Sequence, residues 1–394
     1  MIENKELIKN EETAILVGLA TQKTPFNKAK EYLDELAFLA ETASIKPIRS
    51  FIQNLDRPHS AVFVGTGKLK EIKLAAEENG CTLLIFDDEL TPMQLKNIER
   101  ETKLRVLDRS SLILHIFSLH ARTTQARLQV ELAQNQYMLP RLTGLWTHLE
   151  RQRGGTGTRG GAGEKEIETD RRILRDRIAF LKKELEKVDK QNVERGKNRG
   201  ELVRVSLVGY TNVGKSTIMN LLSKSEVLVE NKLFATLDTT VRKMTLDFVP
   251  FLLSDTVGFI RKLPHHLVEC FKSTLYEAKQ SDILMHVVDV SHPQFEDHIR
   301  IVHETLREVK IDNKKELIVF NKADLLSEEE KAHLQEAWFG KEHAPAVFVS
   351  ALEKWNIDEM REMILSMIKA EYKQNFTHQK FDFEQYSEWI KVAE

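Results

Sequence analysis

"GYTNVGKST", Gly209 to Thr217, is the stretch whose reading decides the fold. It has the spacing G-x-x-x-x-G-K-[ST], follows the apolar run "VRVSLVG" and leads into the helix-like "KSTIMNLLSK". Strand, glycine-rich turn and helix in that order make a phosphate-binding loop. Gly209 and Gly214 let the backbone wrap a polyphosphate. The N–H groups come from the loop residues Tyr210, Thr211, Asn212 and Val213 and from the helix start through Thr217. The following helix N-terminus adds positive potential. Lys215 neutralises the β and γ oxygens, and Ser216 offers a hydroxyl to Mg²⁺.

Downstream, "SDTVGFIRK" (Ser254 to Lys262) reads as a buried strand that delivers Asp255, then Thr256, Val257 and a turn at Gly258. This D-x-x-G element senses a γ-phosphate. Asp255 is expected to reach Mg²⁺ through a water, and Gly258 to meet the γ-phosphate with its backbone. In Ras-type switches the next residue is a glutamine that orients the attacking water. Here it is Phe259, which has no polar side-chain atom, so the water must be positioned in some other way. His265 and His266 read first as ordinary solvated histidines on a switch helix, with that water-positioning task as the alternative.

"NKAD", Asn321 to Asp324, follows the apolar run "ELIVF". A carboxylate such as Asp324 accepts from both N1–H and the 2-amino group of guanine. Adenine lacks that pair of donors and would leave a buried charge unpaired. Asn321 is expected to tie this segment to the phosphate loop, and Lys322 to lay its stem over the base. "SAL" (Ser350, Ala351, Leu352) closes the last strand and can bring the Ala351 N–H to guanine O6. Between the phosphate loop and D-x-x-G lies "LFATLDTT", Leu233 to Thr240. A switch needs a threonine there for Mg²⁺ and the γ-phosphate. Thr236, flanked by Phe234 and Ala235, is the choice, with Thr239 and Thr240 as alternatives on spacing alone. The catalytic set is then Lys215, Thr236 and Gly258, and the Mg²⁺ set is Ser216, Thr236 and Asp255. Asn212 adds a side-chain oxygen that could hold K⁺ as a second cofactor, or could simply brace the loop.

The chain has 394 residues, enough for two or three domains. Its net charge of −2 gives no global sign of nucleic-acid binding, so any basic surface must be local. Cys81 and Cys270 are the only cysteines, which argues against a disulfide framework and for a reducing, cytoplasmic setting. The apolar runs are strand-length and too short to span a bilayer.

Residues 1–110 alternate apolar runs with amphipathic stretches, which implies a small parallel α/β domain. "TAILVGLA" (13–20), "SAVFVG" (60–65) and "CTLLIFDD" (81–88) read as strands, and "KAKEYLDELAFLAETA" and "KLKEIKLAAEENG" as helices. "VGTGKLK" (64–70) is too short for a second phosphate loop and reads as a strand-to-helix turn.

Residues 111–199 change pattern. Leu128, Leu132, Leu139, Leu142, Trp146 and Leu149 form one heptad-type stripe, with Pro140 expected to kink or divide it. Ile167, Leu174, Ile178, Leu181, Leu185 and Val188 form another, and "RQRGGTGTRGGAG" separates them. This predicts an antiparallel helical hairpin with a Gly/Arg-rich tip. Residues 200–370 alternate again, with "LVRVSLVG", "MTLDFV", "PFLLSD", "ILMHVVDV", "ELIVFNK" and "AVFVSAL" as strands of a P-loop domain. Residues 371–394 read as a tail.

With these residues in place, the chain resembles HflX, a family of ribosome-associated GTPases of the translation-factor-related class. The resemblance rests on the nucleotide motifs and, more specifically, on "VLDRSSLILHIFSLHART", "LQVELAQNQYMLPRLTGLWTHLERQ" and "GTGTRG…GE…ETDRR". It implies a GTPase with Thr236 as the switch threonine, expected to be monomeric. It also implies that the N-terminal domain and hairpin bind the large (50S) ribosomal subunit and that the protein splits stalled or stressed ribosomes. Charged loops are mostly just solvated. Within this family, however, Arg151, Arg153 and Arg159 at the tip become candidates for rRNA contact, since phosphates and unstacked bases both attract guanidinium. Two rivals remain: a ribosome-assembly or RNA-modification GTPase, and a non-catalytic GTP-binding module suggested by Phe259.

Overall fold

The computed structural model describes residues 12–142, 162–197, 202–223, 240–262, 276–311, 313–339 and 345–375. The chain divides into two compact units, one of Met1–Leu119 with Arg127–Leu185 and one of His120–Ala126 with Glu186–Glu394.

The first unit is built on a four-stranded parallel sheet of order β2-β1-β3-β4, with β1 Glu12–Ala20, β2 Ile45–Asn54, β3 Leu83–Phe86 and β4 Arg105–Asp108. Helices α1 (Phe26–Thr42), α2 (Thr66–Glu78) and α3 (Pro92–Thr102) make the crossovers. Ile15, Val17, Leu84 and Phe86 from the sheet pack with Leu69, Ile72 and Ile98 from the helices. Each such side chain contributes about 1.5–3 kcal/mol by leaving water. Helix α3 starts on a capping box, in which Thr91 Oγ1 accepts from the Gln94 N–H and the Gln94 side chain accepts from the Thr91 N–H.

One expectation fails here, and one strand was not foreseen. "SAVFVG" is not a strand but a tight turn, closed by paired backbone hydrogen bonds between His59 and Phe63, with Phe63 at φ 67°. Val62, Phe63 and Val64 are apolar because they plug the core, not because they pair in the sheet. The remaining strand is β2, "IKPIRSFIQN". It pairs only with β1, and as an edge strand it can carry Lys46, Pro47 and Arg49.

Helix α4 (Arg109–His120) leaves β4, and α5 (Thr124–Met138) follows. Pro140 divides the first stripe: α5 stops at Met138, and the Arg141 N–H turns back to the Met138 carbonyl. The long helix α6 (Ala162–Lys197) carries the second stripe; Leu181 is fully buried while Arg175, Lys182 and Lys183 are exposed. Arg177 of α6 grips Glu131 of α5, with Nε 2.7 Å from Oε1. The C-terminal end of α5 is fastened to the sheet by a polar network. The Tyr137 hydroxyl donates to Asp108 Oδ1 (2.7 Å), and Arg141 donates to Glu89 (2.9 Å) and to Asp108 Oδ2 (3.3 Å). Next to it Arg109 pairs with Asp87 (3.0 Å) and with Glu35. The sequence blocks "VLDR" and "QNQYMLPR" thus hold each other. Losing one partner would strand a buried charge, at a cost of about 3–5 kcal/mol.

The second unit is a six-stranded sheet of order β10-β9-β8-β5-β7-β6. Its strands are β5 Arg204–Val208, β6 Thr240–Leu246, β7 Val249–Asp255, β8 Ile283–Asp289, β9 Lys315–Asn321 and β10 Ala346–Phe348. All pairings are parallel except β6–β7. "MTLDFV" is therefore not one strand. Asp247 and Phe248, both at positive φ, form the hairpin turn between β6 and β7. The helices are α7 (Lys215–Leu222), α8 (Tyr276–Gln280), α9 (Phe295–Glu308), α10 (Glu328–Phe339) and α11 (Ile357–Asn375). Helix α11 runs past residue 370. Buried Tyr372 donates to the Pro250 carbonyl (2.5 Å) and accepts from the Val203 N–H (3.2 Å), so this end belongs to the core of the unit. The aromatic residues from Phe376 onward lie outside the described residues. Among the described residues, no helix is long and apolar enough to cross a membrane.

Candidate functional site

The phosphate loop leaves the C-terminal end of β5, in the middle of the sheet, where open α/β folds bind their ligands. Gly214 has φ 95°, and a Cβ on it would lie 2.3 Å from Asn321 Nδ2. Only glycine admits that approach. Asn321, at the end of β9, donates from Nδ2 to the Val213 carbonyl (2.7 Å) and accepts at Oδ1 from the Ala351 N–H (2.9 Å). One buried side chain thus ties the phosphate loop, "NKAD" and "SAL" together. The Ala351 N–H, expected at guanine O6, is given to Asn321 instead, so its first task here is to hold these loops in register.

Lys215 is 7% exposed, and its ammonium donates to the carbonyls of Tyr210 (2.8 Å) and Gly209 (3.2 Å). Burial pushes its pKa down to about 8, against the opposing pull of the Asp255 carboxylate. A partly desolvated cation inside a ring of backbone dipoles is strongly drawn to anionic oxygens. On the next residue, Ser216 Oγ donates to Asp255 Oδ2 at 2.8 Å. A hydroxyl and a carboxylate side by side form an all-oxygen donor set, which fits a hard cation such as Mg²⁺. Thr236, the third expected ligand, lies with Phe234, Ala235 and the alternative Thr239 outside the described residues; Thr240 opens β6.

Asp255 ends β7 beside β5. Thr256, expected at the nucleotide, is fully buried and donates its hydroxyl to the Leu207 carbonyl (2.6 Å), so its side chain clamps two strands. Val257 is buried as well. Gly258 packs against the phosphate loop so closely that a Cβ would lie 2.7 Å from Thr211 Cγ2 and 2.9 Å from Thr211 Cα. Phe259 is 5% exposed. Its N–H donates to the Gly209 carbonyl (3.1 Å), and its carbonyl accepts from the Thr211 N–H (2.8 Å). The D-x-x-G segment is zipped to the phosphate loop by backbone, with the phenyl ring packed inside.

Tyr210 joins the same assembly. Its hydroxyl accepts from the Arg261 N–H (2.9 Å), and its ring stacks on His298 (centroids 3.9 Å apart, planes 7° apart). His292 leans on His298 at 4.4 Å. Sequence reading missed these two histidines and weighed only His265 and His266, which lie outside the described residues. The signal was topological: β8 neighbours β5, so the segment after Asp289 must emerge beside the phosphate loop.

On the base-reading side, Lys322 adopts a left-handed backbone (φ 63°) and pairs with Asp289 (2.5 Å). Asp324 is exposed in a short 3₁₀ turn. Ser350 is buried and accepts at Oγ from the Glu353 N–H (3.0 Å), whereas Leu352 is 78% exposed. Asn212 stands exposed on the loop at φ 61°. Arg151, Arg153 and Arg159 lie outside the described residues.

Three family models match in chain order: a GTP-binding GTPase N-terminal region over residues 30–118, a GTP-binding GTPase middle region over 120–199, and a 50S ribosome-binding GTPase over 204–322. The chain is 51% identical to GTPase HflX of Flavobacterium psychrophilum, across 99% of this chain and 98% of that protein. It belongs to the GTPase HflX family. GTPase HflX of Escherichia coli is 42% identical over 80% of the chain and 74% of its own length. A solved complex of SsGBP with GDP superposes with a TM-score of 0.54 at 26% identity, covering 91% of this chain and 99% of that one. As an HflX GTPase with a P-loop domain, the chain binds guanine nucleotides and hydrolyses GTP, so the non-catalytic reading falls.

Proposed function

We propose that this HflX protein binds the large ribosomal subunit in its GTP state and splits stalled or stressed ribosomes, in the cytoplasm and as a monomer. The observation that carries this reading is how the middle region is mounted. Asp108, Tyr137 and Arg141 lock the C-terminal end of α5, which leads into the tip segment, to the sheet, and α6, with 36 residues, is a rod roughly 54 Å long at the α-helical rise. A stiff hairpin over residues 111–199 can carry Arg151, Arg153 and Arg159 to rRNA at a distance from its own domain. The description of the matching G-domain model, a 50S ribosome-binding GTPase, points the same way.

In this reading residues 200–370 are the switch. Lys215 meets the β and γ oxygens, and Asp324 selects guanine. Ser216, Thr236 and Asp255 would hold Mg²⁺, whose chemistry is to neutralise charge on the phosphate oxygens. Gly258 swings its N–H to the γ-phosphate, which pulls Phe259 off Gly209 and Thr211. Phe259 supplies no polar side-chain atom, so the chain alone hydrolyses slowly, and the large subunit orders the Thr236 and Phe259 segments. The Asn212 side-chain oxygen would hold K⁺ beside the phosphates, where other GTPases place an arginine.

Sedimentation tests the splitting step. Assembled ribosomes incubated with the protein and a non-hydrolysable GTP analogue should shift to free subunits, and GDP should leave them joined. Binding restricted to immature subunits would point instead to an assembly factor.

A further inference from the structure

On the G unit, three ligand-type side chains converge from three elements. His286 lies on β8, His303 on α9 and Glu316 on β9. His286 Nδ1 is 2.8 Å from Glu316 Oε1, and His303 Nε2 is 2.9 Å from the same oxygen and 3.1 Å from Oε2. The two rings stand 5.2 Å apart and 70° to each other, and one donor atom from each residue falls within 4.8 Å of the other two. The side chains are 1%, 31% and 18% exposed for His286, His303 and Glu316. The cluster is therefore walled on the strand side and open toward solvent beside the helix.

Each histidine turns toward the Glu316 carboxylate the nitrogen that an ion would take, so an ion bound here would replace these hydrogen bonds.

We infer that His286, His303 and Glu316 form a binding site for a divalent transition ion, Zn²⁺ by the donor set, that clamps α9 to strands β8 and β9. Two imidazole nitrogens and one carboxylate select zinc-like ions over Mg²⁺, which prefers oxygen ligands throughout. Tetrahedral zinc with bonds of about 2.0–2.1 Å separates its ligand atoms by roughly 3.3 Å. The two gaps to Glu316 Oε1, 2.8 and 2.9 Å, must therefore open by about half an ångström, and partly exposed His303 has room to give. Water from the open side completes the fourth position.

The test uses the untagged full chain, stripped of metal and then saturated with Mg²⁺ and GDP so that the nucleotide site is filled. Cobalt(II) serves as a coloured stand-in for zinc. One equivalent per chain should give the intense visible bands of a low-coordinate ion and should be displaced by Zn²⁺. His303→Ala and Glu316→Gln should lose the bands and the rise in melting temperature that Zn²⁺ gives the wild type. Melting without metal shows whether each variant is folded. If wild type and both variants bind cobalt alike, or if Zn²⁺ leaves wild-type melting unchanged, the cluster is only a hydrogen-bonded clamp and the inference is wrong.

Discussion

Phe259 and Gly209 are joined through their backbones: the Phe259 N–H donates to the Gly209 carbonyl at 3.1 Å, and the return bond runs from the Thr211 N–H to the Phe259 carbonyl. The residue that occupies the glutamine position of Ras-type switches acts here through its peptide groups and a buried ring. Replacing it with the glutamine of other GTPases should not create a fast enzyme. Phe259→Gln buries an amide in an apolar slot, and its turnover in isolation should stay at or below wild type. Phe259→Ala should lower stability by about 3–5 kcal/mol, as expected for a buried phenyl ring. Denaturant melts and single-turnover hydrolysis check both. A glutamine variant that hydrolyses faster on its own would show that the missing side chain was the whole deficit.

The same pair should report nucleotide state. With a GTP analogue, Gly258 is drawn to the γ-phosphate and the bond between Phe259 and Gly209 opens, so the Phe259 amide should exchange hydrogen faster than with GDP. Hydrogen exchange over residues 257–262 measures this, and equal protection in both states would contradict it.

Lys215 sets a pH dependence. Its pKa in the free protein is about 8 because of burial, and phosphate oxygens around it hold the proton more tightly. Above pH 8 the bound form therefore carries more protons than the free form. GDP affinity should be flat below pH 8 and should fall above it, at a limiting slope of about tenfold per pH unit. Calorimetry at pH 9 in buffers of different ionisation enthalpy should detect proton uptake. Affinity that rises from pH 8 to 9 would mean the sign is wrong.

In the proposed function, Asp324 selects guanine. Asp324→Asn should weaken GTP by on the order of 10- to 100-fold, the worth of a charged hydrogen bond pair, and should favour xanthosine triphosphate. Unchanged affinity and base preference would reduce "NKAD" to a turn fastened by Asn321.

Much of this arrangement was legible in the sequence, because the nucleotide motifs are local and sit at strand ends. Strands β5, β7, β8, β9 and β10 were legible as apolar runs, but their order in the sheet was not. What sequence reading missed had physical reasons. An edge strand such as β2 need not be apolar, so "IKPIRSFIQN" gave no strand signal, whereas "SAVFVG" is apolar for core packing in a turn. The Asp247–Phe248 turn is short enough to hide inside a run of strand-like residues. The contacts of Tyr210 with His298 and of His286 with Glu316 join residues far apart in the chain, and no periodicity announces them.

The hairpin tip makes an electrostatic prediction. Changing Arg151, Arg153 and Arg159 together to Ala should weaken binding to large subunits and flatten its salt dependence, with GTP affinity in isolation unchanged. Wild-type ribosome affinity in the triple variant would remove the tip from the interface.

In the proposed function, the large ribosomal subunit completes a GTPase that lacks a water-positioning glutamine. Single-turnover GTP hydrolysis, in K⁺ and in Na⁺ at equal ionic strength, with and without purified 50S subunits, tests it most directly. Subunits should accelerate the step by more than about tenfold, at least ~1.4 kcal/mol off the barrier. K⁺ should also outperform Na⁺ in a way that Asn212→Ala abolishes. A rate that does not respond to subunits would contradict the account.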